Sequence, residues 1–345
     1  MDVSLAVWLV TGAAVAGLFV FDFYAHVRTP HAPTFQESAR WSVFYIVLAL
    51  LFGVGLGIVS GWNFGTEYFA GYITEKSLSV DNLFVFLIIM TKFAVPREYQ
   101  QKVLLVGVVI ALVLRTVFIL AGAAAIEQFS WVFYIFGAFL VYTAVKLARE
   151  HHDPEHVPDP AAQKDGIAVR TLKRFVPTTD EYHGDRLTTR IDGRLVITPM
   201  LVVMVAIGST DVLFALDSIP AIYGLTQEPY IVFTANAFAL LGLRQLYFLI
   251  GGLLERLIYL SQGLSIILGF IGVKLVLHAL HVNELPFING GEPVDWAPEI
   301  PTWFSLLFIL GTLTVATVAS LAKTRRDSRA AEVAPADEPD QVEQV

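Results

Sequence analysis

Apolar residues along this chain come in long blocks, without the strict alternation of strands or the polar-faced periodicity of a soluble helix. Nine windows recur: Val3–Phe21, Trp41–Gly61, Glu67–Phe93, Lys102–Gly122, Phe129–Leu147, Pro199–Tyr223, Ile231–Gly251, Ile258–Leu280 and Trp303–Ala322. Blocks of about 20 apolar residues, coiled as α-helices, match the thickness of a bilayer's hydrocarbon core. The third and sixth windows are polar in their middles, so hydropathy alone underrates them. The expected fold is an all-α, polytopic membrane helix bundle of about nine transmembrane helices. The first window lacks the basic leader of a secretory signal and reads as a retained span.

Composition agrees with the blocks. Hydrophobic residues make up 55% of the chain and charged residues 16%, against about 25% charged in a soluble domain. Cysteine is absent, which removes disulfides, thiolate metal sites and thiol redox chemistry. A formal charge of −8 argues against nucleic acid as a partner. The basic residues are sorted by loop. Arg28 and Arg40 follow the first window, Lys92, Arg97 and Lys102 flank the third, and Arg149 to Arg194 crowd the segment after the fifth. Arg256 follows the seventh window, and Lys323, Arg325, Arg326 and Arg329 follow the ninth. The alternate loops, near Asn63, Glu127, Gln227 and across Asn283–Pro301, contain no Lys or Arg. Positive residues favour the cytoplasmic side, so the expected setting is the inner (plasma) membrane, N-terminus outside and C-terminus cytoplasmic. Trp41, Trp62, Trp131 and Trp303 read as interfacial belt residues.

A repeat organises the middle of the chain. Glu75-Lys-Ser-Leu-Ser-Val-Asp81-Asn82 in the third window and Asp211-Val-Leu-Phe-Ala-Leu-Asp217-Ser218 in the sixth share one pattern: acid, five residues, Asp, small polar residue. Leu114-Arg115 ahead of Gly122 parallels Leu243-Arg244 ahead of Gly251, and Ile135-Phe-Gly137 parallels Ile267-Leu-Gly269. With the expected topology the two halves run in opposite directions, a 3+3 inverted repeat, the plan of many secondary transporters. The organisation is then 1–63, peripheral spans one and two; 64–149, first repeat; 150–197, cytoplasmic linker; 198–281, second repeat. Residues 282–322 form an outer loop and span nine, and 323–345 a disordered cytoplasmic tail.

Ionisable groups inside spans are costly and are retained for function. Glu75, Asp81, Asp211 and Asp217 sit at repeat-related positions. Two acids six residues apart differ by about 9 Å in height along one helix, so a single helix does not wrap one ion with both. Inverting the halves is expected to bring Glu75 to the depth of Asp217 and Asp81 to that of Asp211. Asn82 and Ser218, with Ser77, Ser79, Ser209 and Thr210, would add neutral oxygens, and local unwinding at either motif would add carbonyls. An all-oxygen donor set suits a hard divalent ion such as Mn²⁺, Ca²⁺ or Mg²⁺. Lys76, Arg115 and Arg244 would balance the charge of the empty site. Two rival readings use the same residues: acids that merely pair with these bases to tie helices together, and a proton relay. His151, His152, Asp153, Glu155 and His156 form a weaker metal-binding candidate in the linker, and His278 with His281 either marks a helix end or faces the exit.

Glu75-Lys-Ser-Leu-Ser-Val-Asp-Asn-Leu-Phe-Val-Phe, with Phe93-Ala-Val-Pro96 and Gln101-Lys-Val-Leu after it, resembles the TerC family, and Asp211-Val-Leu-Phe-Ala-Leu-Asp-Ser-Ile-Pro220 resembles that family's second motif. The long linker and the Arg-Thr-Pro-His stretch are similar to its Alx-like branch. The resemblance implies a place in the wider LysE transporter superfamily, manganese export, and ion binding at Glu75, Asp81, Asn82, Asp211, Asp217 and Ser218. The expected function is a secondary transporter exporting a divalent cation, Mn²⁺ foremost, driven by proton exchange or by the membrane potential. It needs no resident cofactor, and Mn²⁺ is the substrate. A metalloprotease helix motif and a nucleophile–base pair are both missing, so the chain is not expected to be an enzyme. The alternative is a membrane assembly or metal-delivery scaffold that uses residues 150–197 to hold a membrane protein partner.

Overall fold

The computed structural model describes residues 1, 3–28, 31–129, 131–150, 167–191, 194–250, 258–283, 285, 288–294 and 296–333. Ser4 and Thr34 start the first two long helices, α1 (Leu5–Asp22) and α2 (Phe35–Ser60), by accepting hydrogen bonds from the amides of Val7 and Glu37. There follow α3 (Trp62–Lys92), α4 (Arg97–Gln128) and α5 (Val132–Glu150). Within the linker a short helix α6 (Ile167–Phe175) precedes an antiparallel pair, β1 (Thr188–Ile191) and β2 (Arg194–Ile197). The second half comprises α7 (Pro199–Tyr223), α8 (Pro229–Leu240), α9 (Leu243–Ile250) and α10 (Leu260–His281), and α11 (Thr302–Val333) closes the chain. Among the described residues, 8 helical stretches are long and apolar enough to cross a membrane, α8 and α9 counting as one. The protein is an all-α polytopic membrane bundle. α3 is longer than most of them, at 31 residues, but Glu75, Lys76 and Asp81 lower its apolarity.

Two departures from the expected elements stand out. The seventh window is not one helix. At Leu241 the backbone turns extended (ψ 129) and Gly242 adopts φ +78, a left-handed conformation that glycine alone takes without strain. A Cβ there would also lie 3.0 Å from that of Tyr45. Lys76 reaches from α3 to cap the broken end, its Nζ donating to the carbonyls of Ala239 (2.9 Å) and Leu241 (3.4 Å). The tail also differs from expectation, because α11 continues beyond Ala322 to Val333, while 334–345 lie outside the described residues.

Close approaches fix helix directions. Gly71 of α3 faces Ala235 of α8 and Ile222 of α7, while Glu75 and Asp211 meet one arginine, so α3 runs along α8 and against α7. Gly107 meets Ile207 and Gly122 meets Tyr223, so α4 runs along α7. α5 and α10 cross antiparallel at two glycines, a Cβ on Gly137 falling 2.9 Å from the carbonyl oxygen of Gly272. The principal contacts of the halves thus come in matched sets: α3 with α8, α4 with α7, α5 with α10, α3 with α7.

The linker is docked on the bundle where it is described. Tyr182 donates to the carbonyl of Phe93 at 2.7 Å, and Lys102 Nζ lies 2.6 Å from Asp185 Oδ2. That hydrogen bond holds the Asp185 carboxyl below its ordinary range.

Candidate functional site

Arg115 projects from the middle of α4 between α3 and α7, and no part of its side chain is exposed. Its Nε and Nη2 donate to Oδ2 and Oδ1 of Asp211 at 3.0 and 2.9 Å, a bidentate pair. Its Nη1 donates to Oε1 of Glu75. Glu75 is 0% exposed and Asp211 2%, so both acids depend on their partners rather than on water for charge stabilisation. The group formally carries one more negative than positive charge. Among the described residues Oε2 of Glu75 has no hydrogen-bond partner, while Oε1 also accepts from the Ser79 hydroxyl at 3.5 Å. Two carboxylates, the first acid of each motif, share one arginine, and among the described residues an acceptor is left over.

Arg115 thus joins Glu75 and Asp211, the first acid of each motif. Asp81 and Asp217 lie six residues further along α3 and α7; their side chains, and with them the expected pairing of Glu75 with Asp217 and of Asp81 with Asp211, lie outside the described residues. Asn82 and Ser218 are buried, and the Ser218 hydroxyl has no partner. Neither motif unwinds; the broken backbone is in α8–α9 instead. Among the described residues no group of three or more His, Asp or Glu is placed to hold a metal ion.

Of the three expected charge-balancing bases, Arg115 is the one that meets the described carboxylates of the two motifs, Glu75 and Asp211. Lys76 points to the end of α8 because free carbonyls there need a donor. Arg244 belongs to a second buried cluster, pairing through Nε and Nη2 with Asp22 at 3.2 and 2.8 Å. Tyr45 and Gln245 donate to the same carboxylate at 2.9 and 3.0 Å, and Gln101 accepts from Arg244. This cluster ties α1 and α2 to α4 and α9. Asp22 was missed as a site residue; a lone acid closing an uncharged window was the available signal.

A cavity of about 510 Å³ opens at the end of the bundle that the charge pattern assigns to the outside. Glu67, Thr226, Glu228, Lys274 and His278 line it, with Tyr223 at α7's end. Thr226 donates to Glu67 at 2.6 Å, and His278 is 2.6 Å from Gln227, so this histidine faces an opening rather than only ending a helix. His281 instead pairs with Glu299 at 3.5 Å. His151, His152, Asp153, Glu155 and His156 lie outside the described residues.

Comparison with known proteins gives a consistent setting. The family description "Integral membrane protein TerC family" matches residues 60–328. The chain is 51% identical over 314 residues to "Uncharacterized membrane protein Rv2723" of Mycobacterium tuberculosis (strain ATCC 25618 / H37Rv), covering 90% of this chain and 77% of that protein. It is 39% identical over 274 residues to "Uncharacterized membrane protein STKORF319" of Myxococcus xanthus, covering 79% and 84%. It is 41% identical over 258 residues to "Putative membrane-bound redox modulator Alx" of Escherichia coli (strain K12), covering 72% and 78%. No solved structure matches.

Proposed function

Because the chain belongs to the TerC family of integral membrane proteins, we propose that it is a secondary transporter exporting a divalent metal cation, Mn²⁺ foremost. The reading extends to the inverted repeat, the LysE superfamily, a plasma-membrane location and an N-terminus outside. The observation that carries it is the excess buried carboxylate: Glu75 and Asp211, one from each half, share Arg115 and leave Glu75 Oε2 unpartnered. A purely structural pairing of helices has no need of the surplus, since one acid and one base suffice to tie them, as Asp22 and Arg244 do.

In the empty protein Arg115 neutralises one of two carboxylates. A divalent ion neutralises both, so Arg115's grip on Asp211 becomes dispensable and the helices it ties are free to separate. That exchange supplies the differential stabilisation of two conformations that alternating access requires. Asp81 and Asp217, about one and a half turns away on opposite sides, would receive or release the ion on its way. The name of the Escherichia coli relative speaks of redox modulation; this chain has no cysteine with which to run thiol exchange.

Purified protein in proteoliposomes tests the reading through Mn²⁺ flux. Wild type is expected to show saturable flux, and Glu75→Gln and Asp211→Asn to lower it about tenfold or more, since a ligand charge is worth at least ~1.4 kcal/mol. Asp185→Asn, an acid in the linker, is expected to leave flux unchanged. Equal flux in all four proteins would overturn the proposal.

A further inference from the structure

Asn236 in α8 is fully buried, at 0% exposure, and among the described residues neither its amide oxygen nor its amide nitrogen has a hydrogen-bond partner. An amide buried without partners is expensive, and natural structures keep few of them. A leucine of similar size would avoid the cost, so its place relative to the site decides what it is for.

The neighbouring contacts fix that place. Val232, one turn earlier on the same face of α8, belongs to the buried cluster of Ile119 on α4 with Ala215 and Ile219 on α7. From the other side, Gly71 meets Ala235 and Lys76 reaches Ala239, so α3 runs alongside this stretch of α8 with Asn236 beside Tyr72. Asn236 therefore stands on the face of α8 turned to α4 and α7, within about one helical turn of the level of Glu75. Among the described residues, the Glu75–Arg115–Asp211 group has an unpartnered acceptor of its own.

We propose that Asn236 is a ligand of the transported cation, its amide oxygen joining the carboxylates of Glu75 and Asp211 around the ion. The inference rests on the transport reading above and adds to it a fourth helix and a neutral donor. Hard divalent ions take amide oxygens beside carboxylates and ask for six or more donors, which two acids alone do not provide. A neutral donor completes the shell without deepening the negative charge, so the ion stays releasable. The unsatisfied amide of the empty state is the cost of a site held ready.

Mn²⁺ flux in proteoliposomes, read as half-saturation and maximal rate separately, tests the assignment together with the melting temperature of the metal-free protein in detergent. Asn236→Leu is expected to leave the melting temperature equal or higher while raising the half-saturating Mn²⁺ concentration about tenfold or more. Asn236→Asp, which keeps an oxygen and adds charge, is expected to lower half-saturation and slow the maximal rate, and it serves if the leucine variant does not insert. Saturable wild-type flux with unchanged half-saturation in both variants overturns the ligand assignment and leaves the transport reading standing. Absence of saturable flux in wild type overturns the transport reading itself.

Discussion

Arg115 and Arg244 each follow a leucine in segments of similar sequence, yet their described partners differ. Arg244 meets one carboxylate, Asp22, whose oxygens also accept from Tyr45 and Gln245. Arg115 meets two, and one oxygen is left without a donor. On the proposed reading the first arrangement is structural and the second is the one that takes a positive ion. Breaking either buried pair costs about 3–5 kcal/mol, but the two losses should be told apart by metal. Arg115→Leu leaves two facing carboxylates, so added Mn²⁺ is expected to raise its melting temperature more than that of wild type. Asp22→Asn is expected to melt lower with an unchanged Mn²⁺ response; a larger metal response in Asp22→Asn than in Arg115→Leu would contradict the division. The acids themselves were legible in the sequence because charge in an apolar window is costly wherever it sits. Their partners were not. Which base serves which acid depends on helix levels, and Asp22 lies in an element outside the repeat.

At the scale of elements, the apolar windows gave the helix ends to within about six residues except at the end of α11, since bilayer length and backbone hydrogen bonding leave little choice. The break at Leu241–Gly242 was hidden because Leu-Leu-Gly-Leu reads as uninterrupted apolar sequence, and only a positive φ and the approach of Tyr45 reveal why glycine is needed. The glycines of α5 and α10 are another case: the motif marked Gly137, but its partner is Gly272 rather than the repeat-matched Gly269, which faces Ala144. Gly137→Ala would place a methyl 2.7 Å from Val276 Cγ2 and 2.9 Å from a backbone oxygen. The helices must move apart, at a cost of about 1–3 kcal/mol, seen as a lower melting temperature. Gly12→Ala, where no atom lies within 4 Å, should leave it unchanged; equal effects would remove the crossing as the reason for Gly137.

For the whole molecule, matched contacts between α3 and α8 and between α4 and α7 are what a two-fold relation between the halves would produce, with Glu75 and Asp211 meeting where α3 and α7 cross. Sequence matching found the related motifs, but not that Arg115 joins their first acids, because that depends on how α4 packs between α3 and α7. α1 supplies Asp22 to Arg244, with Tyr45 of α2 donating to the same carboxylate, whereas Arg115 meets both Glu75 and Asp211. Whether that surplus charge holds a metal is read most directly by Mn²⁺ electron paramagnetic resonance on the purified protein. Wild type and Asp185→Asn should each convert one free Mn²⁺ per chain to a bound signal, and the Glu75→Gln, Asp211→Asn double variant should convert none at the same concentration. Full binding by the double variant would contradict a cation site at these carboxylates.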